Sequence, residues 1–104
     1  MAQFPLLAYG QITESGSGVN AITVKLRNNS TNNVGSKTTD SNGLYLFDLS
    51  DTSLFADGYT DNQSITVYTI FKNFEGQTTF TIDIPTYGYQ KDIALTAVTD
   101  STLI

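Results

Sequence analysis

Five oxygen-bearing side chains, which lie in two polar segments of the chain, supply the ligand type that calcium requires. They are Asp40, Asn42, Asp57, Asp61 and Asn62. Neither segment has the residue order of an EF-hand loop or its closing glutamate. Asp and Asn in such positions also form turns by hydrogen bonding to nearby backbone amides, and this interpretation is favoured. The sequence therefore predicts no metal site and no cofactor.

Acid–base catalysis has few candidate groups in this chain. The only two glutamates, Glu14 and Glu75, lie beside predicted turns, and the aspartates are scattered through polar loops. A glycosidase needs two carboxylates held together across a cleft, which this distribution does not indicate. The absence of histidine and cysteine removes imidazole bases, thiol nucleophiles and the common zinc ligands. We expect no catalytic residue and no enzymatic activity.

Charge and hydropathy exclude two classes of partner, nucleic acid and the membrane interior. The net charge is −5, and the five cationic residues form no basic stripe, so we expect no binding to nucleic acid. No segment approaches the ~20 apolar residues of a membrane helix. The first ten residues contain no lysine or arginine and only a short apolar run. This start predicts synthesis in a cytoplasm without a signal peptide.

Period-two alternation predicts the elements that would position any site. Seven strands are expected, at residues 6–14, 21–27, 34–39, 44–49, 64–72, 78–84 and 92–98. Turns are expected at 40–43, 73–76 and 86–89, and the longest connection, 50–62, contains a candidate helical turn capped by Asp51 or Ser53. The pattern predicts an all-β, antiparallel immunoglobulin-like sandwich with Greek-key, prealbumin-like topology. Residues 8–98 would form this domain, 1–7 an arm or edge strand, and 99–104 a tail.

Side-chain parity predicts a second apolar surface. If Tyr45, Phe47 and Leu49 point into the core, Leu44 and Leu46 must point outward. The same argument places Tyr68 and Ile70 on an outer face. If these two strands were neighbours, the four outward residues would form an exposed patch of the kind that monomers usually avoid.

The chain termini and one turn supply further candidate contacts. Apolar residues near the ends, Phe4, Leu6, Leu103 and Ile104, would either cover that patch or reach neighbouring molecules. Tyr87 and Tyr89 flank Gly88 in the predicted turn. A tyrosine there would either cover a sheet edge or contact a partner or a surface glycan.

Four segments together resemble a known group of domains: 8–12, 18–26, 39–49 and 61–67. They are similar to the carboxypeptidase regulatory-like group of prealbumin-type sandwiches and to the related Cna-B-type modules. The resemblance implies a structural module that is added to many systems. Some Cna-B-type adhesins carry a Lys–Asn isopeptide bond, for which Lys25 is the candidate. Alternation places Lys25 on the face opposite Val24 and Leu26, so we expect no such bond.

The leading hypothesis from the sequence is a non-enzymatic structural protein of a virion. A tailed phage would reconcile an adhesin-like sandwich with synthesis in a host cytoplasm, and a capsid decoration or cement subunit is the favoured form. Its partners would be the capsid shell or sister subunits in a homo-oligomeric assembly, with a surface glycan as a further partner class. The alternative is a cell-surface or extracellular filament or adhesion module of an exported protein.

Overall fold

Strands with alternating side chains build a sandwich of two mostly antiparallel sheets in this computed structural model, which describes residues 4–71 and 73–97. No helix occurs among these residues. The strands are β1 (Leu7–Glu14), β2 (Ser17–Gly18), β3 (Thr23–Asn28), β4 (Val34–Thr38), β5 (Leu44–Asp48), β6 (Ser64–Phe71), β7 (Phe74–Thr81), β8 (Gly88–Gln90), β9 (Ile93–Ala94) and β10 (Thr96–Ala97).

The strands divide into a small and a large sheet. In the small sheet, β1 pairs with β2 and β5 in antiparallel orientation and with β8 and β9 in parallel orientation. The large sheet is antiparallel and has the order β10-β7-β6-β3-β4. The predicted fold class, an immunoglobulin-like β-sandwich, is confirmed.

Two regions near the carboxyl-terminal end of the chain differ from the predicted strand pattern. The expected last strand is divided into β9 and β10, because Leu95 N–H donates to Thr13 O at 2.8 Å before the chain crosses to the large sheet. The expected turn at 86–89 overlaps β8, which pairs with the first three residues of β1. Parallel pairing between segments so far apart in sequence leaves no local pattern that reveals it.

The core confirms the predicted parity of β5. Tyr45 and Phe47 are buried together with Leu49, whereas Leu44 and Leu46 are 46% and 53% exposed. The Phe47 ring lies 5.9 Å from that of Tyr45 and 6.2 Å from that of Phe55. Burying each of these aromatic side chains contributes about 1.5–3 kcal/mol to the free energy of folding.

The turn before β5 sets this parity. Asp40 Oδ1 accepts hydrogen bonds from Asn42 N–H at 2.9 Å and from Leu44 N–H at 3.0 Å. Gly43 has a φ of 79°, and a Cβ there would lie 2.5 Å from Ile12 O. Only glycine fits this conformation and this close approach, so the turn fixes the register in which β5 pairs with β1.

The long connection 50–62 contains a short turn rather than a helix. Phe55 N–H donates to Asp51 O at 2.8 Å, and Asp51 Oδ1 accepts from Ser53 N–H at 3.0 Å. Asp51 thus occupies the capping position that the sequence suggested. The turn directs Phe55 into the core, where its ring lies under Gly35 of β4.

The predicted hairpin turn at 73–76 is wrong in its position. Phe71 pairs with Phe74, and Gly76 lies inside β7 opposite Thr69. A Cβ at Gly76 would lie 2.3 Å from the Ile93 Cγ2 atom. Gly76 therefore serves the close approach of β9 and does not form the turn.

Candidate functional site

The outer face of the small sheet carries an exposed apolar surface. Tyr9 lies directly opposite Leu46 across the β1–β5 pair, and Gln11 lies opposite Leu44. Tyr9, Leu44 and Leu46 are all exposed, and we call these three residues the leucine face. It borders an open groove of about 810 Å³, also lined by Leu7, Thr38 and Asp92. Apolar surface of this kind is suited to contact with another macromolecule.

The other two residues of the predicted patch lie elsewhere. Tyr68 and Ile70 belong to β6, and their outward side chains lie on the large sheet, which faces away from the leucine face. The condition under which the four residues would form one patch is not met, because the connection 50–62 carries the chain from one sheet to the other. Tyr68 pairs across the strands with Lys25, and both line a shallow hollow of about 150 Å³. The chain therefore has two separate outward surfaces and not one patch.

The amino-terminal segment is attached to the sandwich. Leu6 is completely buried, so its predicted availability to a partner is wrong. Phe4 is 72% exposed, and its ring lies 5.9 Å from the Tyr87 ring in an edge-to-face arrangement. The Tyr59 hydroxyl donates to Phe4 O at 2.5 Å. Phe4 and the half-buried Tyr87 thus form a small aromatic surface at this end, while Leu103 and Ile104 lie outside the described residues.

Tyr89 serves the fold. Its ring stacks on Phe80 at 4.5 Å with an interplanar angle of 17°. Its hydroxyl accepts from Asp83 N–H at 2.8 Å and donates to Thr86 O at 3.0 Å. Of the two alternatives for this residue, these contacts favour covering of the sandwich edge.

The carboxylates that were weighed as calcium ligands are engaged in separate hydrogen bonds. Asp57 Oδ2 accepts from Asn33 Nδ2 at 3.1 Å, and Asp61 Oδ1 accepts from Ile84 N–H at 2.9 Å. Asp40 forms the turn before β5, as described above. Within residues 4–71 and 73–97, no three acidic side chains converge on a point where they would hold a metal ion.

Two tyrosines and one aspartate have displaced pKa values with structural causes. Burial, with a smaller effect of Asp92, raises the pKa of Tyr45, whose hydroxyl donates to Lys91 O. Burial also raises the pKa of Tyr59. Hydrogen bonds from Ser53 lower the pKa of the exposed Asp51 carboxyl. These shifts favour the neutral tyrosines and the ionised aspartate that ordinarily exist at neutral pH, so they arrange no acid–base pair.

Lys25 lies on the outward face that alternation predicted. Its side chain is exposed, whereas Val24 and Leu26 on either side are completely buried. In the described part of the chain, every buried side-chain nitrogen and oxygen has a hydrogen-bond partner. No helix of this part is long and apolar enough to span a membrane.

Sequence reasoning overlooked two features of the molecule, one in each sheet. Tyr9 belongs to the leucine face, and alternation from the buried Ala8 and Ile12 is the signal that would have placed it there. The open edge of β4 was also missed, because edge position depends on sheet order and not on local pattern.

Comparison with known proteins identifies the fold and no family. No protein-family model and no curated protein sequence matches this chain. Among solved structures, 3-chlorocatechol 1,2-dioxygenase from Rhodococcus opacus 1CP is similar, with a TM-score of 0.55 and 10% identity over 91% of this chain and 60% of that chain. Two mutant structures of the shaft pilin SpaA from Lactobacillus rhamnosus GG are also similar, each with a TM-score of 0.52 and 11% identity over 94% of this chain and 48% of the pilin.

These likenesses concern the sandwich alone, because the sequence identities are very low. The chain spans about three fifths of the dioxygenase and about half of the pilin. The pilin likeness agrees with the predicted resemblance to Cna-B-type modules at the level of fold. The carboxypeptidase regulatory-like part of that resemblance is not confirmed.

Proposed function

We propose that this chain is a non-enzymatic structural module of a cell-surface or extracellular filament or adhesion assembly. The observation that carries the proposal is the likeness to shaft pilin SpaA, which extends over 94% of this chain. The comparisons give no support to the virion hypothesis, so the surface module is the better supported of the two.

The leucine face supports a role in binding another subunit and not in catalysis. The leucine face is exposed within a border of polar residues, so its burial against another subunit would remove apolar surface from water. Such burial contributes about 25 cal/mol per Å² before the costs of association. The aspartates of the loops, by contrast, are held by backbone and amide donors that form the turns.

The dioxygenase likeness does not lead us to propose catalysis. It shares only the sandwich with this chain, at 10% identity. The chain has no histidine and no cysteine, and its displaced pKa values have structural causes. A module whose polar groups are used in folding is suited to a scaffold role.

Deletion of the gene in the producing organism tests the proposal. We expect surface fibres or adhesive structures to be lost or shortened when cells are viewed by negative-stain electron microscopy. Complementation with the unaltered gene should restore them, and complementation with a variant carrying Leu46→Asp should restore them poorly, although the purified variant stays folded. Unchanged surface structures after deletion would contradict the proposal.

A further inference from the structure

Strand β4 forms an open edge of the large sheet. Hydrogen bonds from Thr39 N–H to Ile22 O at 3.0 Å and from Asn28 N–H to Asn33 O at 2.9 Å fix which residues face β3. With the β3–β4 register, they direct the backbone groups of 35 and 37 toward β3. The N–H and C=O groups of Val34, Ser36 and Thr38 therefore point away from the sheet.

The neighbouring edge of the small sheet is protected by comparison. In β5, Asp40 Oδ1 accepts from Leu44 N–H, and Asp40 N–H donates back to Leu44 O at 3.1 Å. At the other end of the strand, Asp51 N–H donates to Asp48 O at 3.1 Å. These local bonds occupy both outward groups of Leu44 and the outward C=O of Asp48, with Leu46 between them. An edge shortened in this way is a poor template for another strand.

The side chains on the outer face of β4 leave its edge accessible, whereas the exposed Lys37 lies on the other face with Gly35. Val34 is 44% exposed, and Ser36 and Thr38 are exposed, small and uncharged. Gly35 faces inward, and a Cβ there would lie 2.7 Å from the Phe55 ring, so this strand lies close against the core. The edge is thus positioned by packing and presents three alternating residues with unused backbone groups.

We propose that β4 pairs in antiparallel orientation with β4 of a second copy of this chain, about a two-fold axis at Ser36. This inference deepens the proposed function, on which it rests, by naming the contact through which modules associate. Three open residues spaced by two and centred on Ser36 form a self-complementary set. Val34 lies opposite Thr38 of the second copy, and Ser36 lies opposite Ser36 of the second copy. Each such pair exchanges two bonds, so roughly six backbone hydrogen bonds form.

The side chains of this register are compatible with the pairing. Val34 and Thr38 are both β-branched, and such cross-strand pairs are favourable. Lys37 lies opposite Gly35 of the second copy, so the two lysines do not face each other directly. The groove beside the leucine face reaches Lys37 and Thr38, so it opens onto the paired edge.

The opposite edge of the large sheet is the competing partner. Ile82 N–H donates to Gln63 O at 2.9 Å, which fixes which residues of β7 form hydrogen bonds with β6. Because these alternate along the strand, the backbone groups of Gln77, Thr79 and Thr81 point away from β6. Here Lys91 Nζ lies 5.9 Å from the centre of the Phe80 ring, beside the Tyr89 stack. Because β4 carries its own lysine, Lys37, the nearby lysine does not distinguish the two edges. The difference is that β10 already pairs with β7 at Glu75 and Phe74, whereas no strand of the described residues covers β4, so β4 is the better template for a second copy of itself.

Disulfide trapping tests the register directly, because the chain has no cysteine of its own. Opposed residues in a hydrogen-bonded pair have Cα atoms about 5.5 Å apart, within the range that a disulfide spans. The variant Ser36→Cys should form a covalent dimer under mild oxidation. Val34→Cys and Thr38→Cys should each stay largely uncrosslinked alone and should crosslink to each other when mixed. Thr79→Cys, on the other edge, is the matched control and should not crosslink.

A second measurement removes the donor without adding a thiol. Ser36→Pro deletes an N–H that β3 does not use, whereas Ser36→Ala retains it. At about 1 mM protein, where Kd values near millimolar are detected, sedimentation should show dimers for the unaltered chain and Ser36→Ala. The proline variant should be monomeric with an unchanged circular dichroism spectrum.

Three results would overturn the proposal: a monomeric unaltered chain at this concentration, no Ser36→Cys dimer, or crosslinking of Ser36→Cys only to Thr79→Cys. The last result would show pairing of β4 with β7. If the chain is found in surface fibres but any of these results is obtained, the edge pairing fails and the proposed function stands. If deletion leaves the surface unchanged but the dimer forms, the reverse holds.

Discussion

Adding a methyl group at Gly35 tests the packing that holds β4 against the core. An ideal Cβ at this position lies 2.7 Å from Phe55 Cζ and 2.9 Å from Cε1. Favourable carbon–carbon contacts lie at about 3.5–4.0 Å, so the ring or the strand must move. Phe55 is buried with its ring edge-to-face on Phe47, which limits its retreat. We expect Gly35→Ala to lower the free energy of unfolding by about 1–3 kcal/mol.

Urea denaturation followed by circular dichroism measures this loss as a lower midpoint at an unchanged m-value. Gly88→Ala is the matched control, because its Cβ meets only Tyr9 Cε1 at 3.9 Å, an ordinary contact. It should change stability by less than about 0.5 kcal/mol. Phe55→Leu should relieve the crowding, so the double variant should be more stable than the sum of the single losses by about 0.5–3 kcal/mol. Equal losses at Gly35 and Gly88, or strict additivity with Phe55→Leu, would refute the packing argument.

Four further substitutions test other parts of the structure. Because the raised pKa of Tyr45 retains its proton in the folded state, its contribution to stability is complete below the ordinary pKa of 10.0 and is lost as pH rises above it. Tyr45→Phe should therefore reduce the alkaline loss in pH-dependent denaturation, while the lost hydrogen bond to Lys91 O costs about 0.5–1.5 kcal/mol at pH 7. Leu46→Lys should change the urea midpoint little, whereas Phe47→Ala should cost about 3–5 kcal/mol; similar losses would contradict the assigned parity. Asp40→Ala removes the acceptor of two backbone amides and should cost about 1–3 kcal/mol by thermal denaturation, and an unchanged Tm would refute the role of this turn.

Local pattern was sufficient to predict most of the longer strands and, in β3 and β5, the direction of their side chains. In β5, the alternation of aromatic and leucine residues after Gly43 determines which side chains are buried, because successive residues of a strand point to opposite faces. Burying the aromatic rings removes a larger apolar area from water than burying the leucines would. The same reasoning placed Lys25 outside the core.

Sheet order was beyond the reach of local pattern. Whether β5 and β6 are neighbours depends on where the connection 50–62 crosses, and no short-range period encodes that choice. The burial of Leu6 likewise depends on the pairing of its strand with the distant β5 and β8. The role of Gly76 could not be predicted for the same reason, because it depends on the approach of Ile93 from the other sheet.

The location of the native protein tests the central claim most directly. An antiserum raised against the purified chain can be applied with gold-labelled secondary antibody to intact producing cells, with the deletion strain as control. A surface structural module predicts gold particles along external fibres or on the cell surface, and none on the deletion strain. Label confined to the cell interior or to virus particles would contradict this account.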